Sequence, residues 1–499
     1  MASAYDNWTR EDLIKHITHL ESKLSIPVVD PQVIAKPQKS SRKDFDFSSY
    51  PKRKIALKFC YSGWEYNGLA YQSLPTPLPT VESVLFDALV MAKLVDPEAS
   101  YEGCGWERCG RTDRGVSAAG QVVSLWVRSA LVDPEAESLR LPAESADQIP
   151  EAEPASADEE LGSLDISPTS TPVSKPKGSY KPEHDYVAIL NRILPPTIRV
   201  FAWSSVSPNF SARFSCRYRH YKYFFSSQGL NIDLMRAGAS RLVGEHDFRN
   251  LCKLDPAKQI KMFKRRIISV DITPVDANIP EIYVLDLVGS AFLYHQVRHI
   301  MAILFHVGAG LERPSVITSL LNVADGAEHV VDEMDPPLQV VDRRPEYQMA
   351  DALPLMLWDC AYKPEDVDWR IDGHTDAQKR QESLENNFGG MCRALQSTLE
   401  RSKIFSALNQ HFLSTATLYH PRPVQVLPLA SPPLSTKAMK QPMQIPLGGG
   451  TCKRVTRYTP LLDRVRMDPV EVVNERWRNG KGHRREERRK AEAIADEDE

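Results

Sequence analysis

The chain is 499 residues long and 42% hydrophobic, enough to bury a sizeable core and to form more than one domain. Its net charge of −3 excludes a uniformly basic nucleic-acid binder, but the charge is segregated. Residues 133–174 carry eleven acidic side chains against one basic, Arg140, whereas residues 199–266 carry fourteen Lys and Arg against four Asp and Glu, which leaves a basic central region suited to phosphate.

In chain order, Thr9-Arg10-Glu11-Asp12 has the form of a helix start. Leu13, Ile17, Leu20 and Leu24 follow at alternating spacings of four and three. They predict an amphipathic helix in residues 1–26 that docks on the chain's own body. Residues 27–50, rich in Pro, Lys and Ser, read as a linker. Ile55, Leu57, Phe59 and Tyr61 alternate as in a strand. A turn with Gly63 and Asn67-Gly68 follows, and Thr80 then opens a helix carrying Val84, Leu85, Ala88, Leu89 and Ala92. After a polar loop at Cys109–Gly120, Val122–Val127 predicts a strand buried on at least one face. Residues 133–182 are acidic, Pro- and Ser-rich and almost free of aromatics, which predicts a disordered insertion.

Order is expected to resume with a helix over Asp185–Leu194, stopped by Pro195-Pro196. Strands are predicted at Val200–Val206 and Tyr218–Phe225. In the second, Arg217, Arg219, Tyr221, Tyr223 and Phe225 share a face, which serves equally as core or as a contact surface for nucleic-acid backbone and bases. Leu242–Phe248 is predicted to open a further helical region, and Lys258, Lys261, Lys264, Arg265 and Arg266 form a basic cluster, by default a solvated face. Strands at Ile267–Ile272 and Ile282–Val288 precede a helix over His295–Gly310 with a buried stripe of Val297, Ile300, Met301 and Leu304. His295 and His299 are four apart, a metal-capable spacing, but the Glu that a metalloprotease needs is missing, so no metal is expected. Pro314–Leu321 and Ala352–Leu357 complete an ordered region ending near Pro364. Residues 365–450, with a helix at Met391–Ala407 among Pro- and Gly-rich stretches, read as a peripheral, partly disordered insertion. A segment at 451–475 and a charged tail at 476–499 follow. The eight cysteines form no CxxC pair, so a zinc site is not expected. No run is long enough to span a membrane, and the N-terminus lacks a secretory core. The expected compartment is therefore reducing, cytoplasm or nucleus.

The chemistry-bearing stretch is Cys109-Gly110-Arg111-Thr112-Asp113-Arg114-Gly115-Val116-Ser117-Ala118. It holds one carboxylate on a tight turn between two arginines, at the edge of a strand. Such an acid suits reaction with an anionic substrate, but by spacing alone it suits a turn-capping, salt-bridged role better, as most Asp in turns do. Gly110–Ala118 resembles the active-site signature of the TruA family of tRNA pseudouridine synthases. Phe210-Ser211-Ala212-Arg213-Phe214 through Arg219-His220-Tyr221-Lys222-Tyr223 resembles that family's second motif, and Phe292–Met301 its third.

This resemblance implies an α+β fold in which two α/β subdomains share a mainly antiparallel mixed sheet with a central RNA-binding cleft. The catalytic core would be residues 51–132 and 183–364. It implies a cofactor-free isomerisation of tRNA uridine, with Asp113 starting detachment of uracil by attack on the base, attack on the sugar or removal of a sugar proton. Tyr221 would pack on the target base, Arg298 would pair with Asp113, and Arg111 would assist extrusion. A guanidinium beside a buried acid keeps it ionised, and base extrusion is required because a stacked uridine hides its glycosidic bond. Arg213, Arg219, Lys222, Lys264 and Arg265 are the candidate contacts to the RNA backbone. His220-Tyr221-Lys222, His295-Gln296 and the Tyr458–Met467 stretch resemble the eukaryotic branch acting on uridines 38 and 39 of the anticodon stem-loop; members of the family commonly work as homodimers. Action on other uridines, or catalytically silent tRNA binding, are the alternatives. A glycoside hydrolase would need a second carboxylate.

Overall fold

Alternating apolar residues and local caps set the main elements of the computed structural model, which describes residues 45–131, 182–278, 281–374, 390–420 and 443–484. Two units are distinguished, Met1–Ser49 and Tyr50–Glu499. In the first, Phe47–Ser49 form a single 3-10 turn. The expected helix of residues 1–26, the acidic insertion up to residue 181 and the tail beyond residue 484 lie outside the described residues.

The second unit is built on a mixed, mainly antiparallel sheet, nine-stranded among the described residues. Strand β1 (Lys52–Tyr61) lies between β3 (Ser117–Arg128) and β4 (Ile198–Ser205), and the short β2 (Glu107–Arg108) pairs with β3. Ile55, Leu57 and Phe59 of β1 are fully buried. Helix α1 (Val81–Met91) starts at Thr80 with a reciprocal cap: Ser83 N donates to Thr80 Oγ1, and Thr80 N donates to Ser83 Oγ, both at 3.2 Å. Helix α2 (Tyr186–Ile193) is capped by Asp185, which accepts from Ala188 N at 2.8 Å. These elements enclose the first core cluster.

In the second half, β5 (Tyr218–Ser226) pairs with β8 (Ile282–Gly289), β8 with β7 (Lys264–Pro274), and β7 with β6 (Gly244–Asp247). Helix α3 (Ile232–Ala239) precedes β6. Leu242–Phe248 is therefore not helical as expected. After a 3-10 turn at Ser240–Leu242, Gly244 takes φ +123°, a conformation no helix contains, and the chain turns into an edge strand paired with β7. Helix α4 runs over Gln296–Gly308, with His295 just outside it. Its expected stripe of Val297, Ile300, Met301 and Leu304 is buried, and burial extends to nearly every residue from Val297 to Val307, His299 and His306 included, with Arg298 partly exposed. Helix α5 (Val316–Leu321) completes a second core cluster.

The halves are joined by β9 (Leu355–Ala361), which pairs in parallel with β3 and antiparallel with β5. Leu357 is the partner of Ala118 on one side and Tyr221 on the other.

The stretch 365–450 is not peripheral throughout. Trp203 and Arg370 exchange backbone hydrogen bonds, and Trp203 Nε1 donates to Asp372 O at 2.8 Å. Strand β10 (Met443–Gly448), paired with β11 (Thr451–Val455), buries Met443, Ile445 and Leu447, the first two in a third cluster with Ala309, Leu311 and Tyr458. Helix α6 is longer than expected, Gly390–Ala416, and none of its residues is buried. The Tyr458–Met467 stretch docks at the far end of α4: Tyr458 Oη and Leu461 N both donate to Glu312 Oε1, at 2.6 Å. A last helix, α7, spans Val470–Trp477.

Candidate active site

Asp113 sits on the loop between β2 and β3, and close approaches of the chain fix that loop. Gly63 N donates to Ser117 Oγ at 3.0 Å, and a Cβ on Gly63 would stand 2.0 Å from Val116 O, so only glycine fits there. Tyr61 Oη and Thr112 Oγ1 are 2.6 Å apart, and Leu69 N donates to Thr112 O at 3.2 Å. Gly115, with φ +86°, makes the turn that the Asp-Arg-Gly sequence predicts, and Val116 N closes it on Asp113 O at 3.1 Å. The Asp113 side chain stays 26% exposed, accessible to a substrate.

Tyr221 comes from β5 and packs against both the first and the second core clusters, so it lies at the seam between the halves. A Cβ on Gly110 would be 3.9 Å from its hydroxyl, which puts the phenol under the Asp113 loop. Phe292 meets the Tyr221 ring edge-on, at 4.9 Å between centroids and 80° between planes. Burial pushes the Tyr221 phenol above its ordinary range, so it remains protonated at neutral pH.

The side chain nearest the acid is not the expected one. His295 Nε2 lies 3.0 Å from Asp113 Oδ2, while Arg298 makes no ion pair with Asp113 and instead donates from Nε to Ala350 O at 2.8 Å. The reason is the start of α4: His295 takes φ +59°, a left-handed conformation costing a non-glycine residue about 1–2 kcal/mol. This swings its ring to the loop, while Arg298, almost a turn further on, reaches Ala350. The turn is braced by Leu293 N donating to Gln296 Oε1 at 2.8 Å and by Gln296 N donating to Leu293 O at 3.1 Å. The sequence marks His295 as a helical residue, one of a pair at metal-capable spacing and part of the third motif, but not as a neighbour of Asp113. Its position inside the third motif was the available signal.

The other candidates divide. Arg111 is exposed beside the acid. Arg213 is exposed, with its guanidinium 5.1 Å from the ring of Phe214, itself 79% exposed. Lys264 is exposed at the start of β7. Arg219 is not available to phosphate. It donates to the carbonyls of Cys109 (3.1 Å), Arg213 (2.7 Å) and Ser290 (2.9 Å), one from each of three loops. Lys222, one residue from Tyr221, points to the opposite face of the sheet, 2.7 Å from Asp286 Oδ1 and 4.9 Å from the Trp358 ring centre. Arg265 donates to the carbonyls of Lys264 (2.7 Å) and Met262 (3.3 Å). Lys258 of the basic cluster and Lys253, which the sequence did not single out, stand 5.5 and 5.7 Å from the ring of Tyr294, 37% exposed.

His299 accepts from Arg344 Nη1 at 3.0 Å, and burial pushes its imidazole down to about 2, keeping it neutral. Among the described residues, no group of three His, Cys, Asp or Glu side chains could hold a metal, and no helix is long and apolar enough to cross a membrane.

One partly exposed acid, a protonated tyrosine at the seam of a two-half sheet and exposed arginines in the flanking loops make a centre able to host acid- or nucleophile-initiated chemistry on a polyanion. A family model described as tRNA pseudouridine synthase matches residues 239–363. The chain is 38% identical to the tRNA pseudouridine(38/39) synthase of Saccharomyces cerevisiae, over 97% of this chain and 93% of that one. It is 39% identical to the human protein of the same name, over 66% of this chain and 60% of the relative. To the tRNA pseudouridine synthase A of Methanothrix thermoacetophila it is 29% identical, over 64% and 87%. The chain belongs to the TruA-type family of tRNA pseudouridine synthases.

Proposed function

We propose that the protein isomerises uridine to pseudouridine at positions 38 and 39 of tRNA, the positions in the names of its yeast and human relatives. The observation that carries the reading is the one-acid centre, with Asp113 open to solvent and Tyr221 packed under the same loop. In this reading the target uridine leaves its stack, its uracil meets the Tyr221 ring, and Asp113 starts cleavage of the C1′–N1 bond. The freed uracil turns, C1′ bonds to C5, the C5 proton departs and N1 regains one. Atoms and electrons balance without a cofactor. Asp113 Oδ2 faces His295, which leaves Oδ1 for the substrate. Exposed Arg111 takes the space that the base vacates. Arg298 engages Ala350 through Nε alone, leaving its terminal nitrogens for the nucleotide. Arg213, Phe214 and Lys264, with Lys253 and Lys258 around Tyr294, form the basic and aromatic surface for the anticodon arm. The family resemblance supports a homodimer, and the unpaired cysteines suit a cytoplasmic or nuclear setting.

The test maps pseudouridine by carbodiimide-stop sequencing in tRNA treated with the purified full-length protein. Stops at 38 and 39 are expected, abolished by Asp113→Ala with tRNA affinity kept within a few-fold. Modification confined to positions outside the anticodon arm overturns the site assignment. Conversion by the Asp113→Ala protein removes Asp113 from the chemistry, and release of free uracil would mean hydrolysis.

A further inference from the structure

We infer that His295 is a positioning residue for Asp113, an inference that rests on the synthase reading above. Three independent features of the structure converge on its imidazole. First, His295 supplies the side chain that touches the acid, with Nε2 3.0 Å from Oδ2, while the arginine three residues on is turned to a backbone carbonyl. Second, the contact exists only because the backbone at His295 is left-handed, φ +59°, where most side chains are disfavoured. Strain of this kind persists only when its surroundings hold it, and it gathers at functional sites. Here Gln296 and Leu293 hold it by two hydrogen bonds across the turn. Third, the ring is 6% exposed, packed on the Tyr294 ring at 3.8 Å, and its buried Nδ1 has no hydrogen-bond partner among the described residues.

A histidine placed merely to begin a helix would cap it with its side chain or leave the ring in water, and His295 does neither. With Nδ1 lacking a donor or acceptor to face, the polar end of the ring that does any work is Nε2, and Nε2 faces the acid. The role follows from chemistry. A proton on Nε2 donated to Oδ2 fixes the carboxylate plane and leaves Oδ1 as the oxygen presented to the uridine. Catalytic hydrogen bonds commonly tighten only when substrate closes the site, and an acid misplaced by about 1 Å can lose about 10²-fold in rate.

Two substitutions separate this role from a structural one. Gln places an amide nitrogen near the position of Nε2. Asn tolerates the left-handed backbone better but reaches only the position of Nδ1. With full-length protein and a tRNA carrying uridine 39, single-turnover pseudouridine formation should fall about 30- to 100-fold in His295→Asn. The affinity for tRNA and the melting temperature should be nearly unchanged. His295→Gln should remain within about five-fold of wild type. If His295→Asn matches or exceeds His295→Gln, the residue serves the backbone and the inference is wrong. The same holds if both variants keep wild-type rates, or if the loss appears in tRNA affinity instead of the chemical step. Wild-type protein that forms no pseudouridine would instead defeat the synthase reading, a result distinct from any of these.

Discussion

Replacing Arg219 by Met keeps the length and most of the volume of the side chain and removes its donors. In the structure those donors serve the carbonyls of Cys109, Arg213 and Ser290, at 2.7–3.1 Å. Hydrogen bonds from a charged group are worth about 1.5–3 kcal/mol each. The guanidinium is only half-buried, so water would re-solvate part of what is lost; a net cost of about 3–4 kcal/mol is reasonable. At about 2.1 cal/mol/K of unfolding entropy per residue, an ordered region of about 350 residues would lose roughly 5 °C in melting temperature. The pseudouridine-forming rate should fall as well, because Cys109 begins the Asp113 loop. Arg219→Lys should rescue little, since an ammonium on a flexible stem cannot span three carbonyls held in a fork. Thermal unfolding followed by circular dichroism, together with tRNA binding across a salt series, tests the reasoning. Were Arg219 a phosphate contact, its removal would leave the melting temperature alone and flatten the log–log salt dependence by about one unit. A melting temperature within about 1 °C of wild type, with that flattening, would refute the structural role.

Gly63→Ala places a methyl 2.0 Å from Val116 O and must displace the Asp113 loop; a loss of about 2–3 kcal/mol in urea unfolding is expected, with kcat falling more than KM rises. Unchanged stability and rate would mean that the approach is relieved cheaply elsewhere. Burial pushes His306 down to about 4, and its Nδ1 donates to Ala302 O at 2.7 Å, so it is neutral in the folded protein. Below about pH 6.5 the unfolded chain takes up a proton that the folded one does not. Stability from this residue is therefore complete above pH 6.5, declines as pH falls towards 4 and is flat below, by at most about 3 kcal/mol. Urea midpoints at pH 7 and 4.5 should accordingly diverge less in His306→Gln than in wild type.

What was legible in the chain was what local chemistry decides. The alternation of β1, the helix opened by Thr80, the helix stopped before Pro195-Pro196 and the Gly115 turn depend on neighbours within a few residues, and each forms as its pattern predicts. Gly244 misled because the same Leu-Val-Gly-Glu-His-Asp-Phe string suits a helix or an edge strand, and the choice lies with β7, across the sheet. Strand β10 was hidden for a similar reason. Its Met-Gln-Ile-Pro-Leu-Gly run follows a Pro-rich stretch, and its apolar side is explained only by the end of α4 that it covers. Among the candidate site residues, residue type was readable and partner was not. Period two correctly put Arg219 and Tyr221 on one face of β5, yet nothing in the strand says that three carbonyls converge on that guanidinium. The same period puts Lys222 on the other face, opposite Asp286, which weakens it as an RNA contact from the outset.

The arrangement also explains why the candidate site residues come from three distant motifs rather than one. Asp113 belongs to the first half of the sheet and His295 and Arg298 to the second, while Tyr221 packs on both cores. The placing of Asp113 relative to Tyr221 and His295 therefore depends on how β9 seats β3 beside β5, with Leu357 between Ala118 and Tyr221. Arg219 then ties the loop of each motif to its own carbonyl hooks, so the loops cannot shift independently once the halves are joined. A guanidinium committed to backbone carbonyls stiffens the loops it joins, whereas Arg111, Arg213 and Lys264 stay exposed.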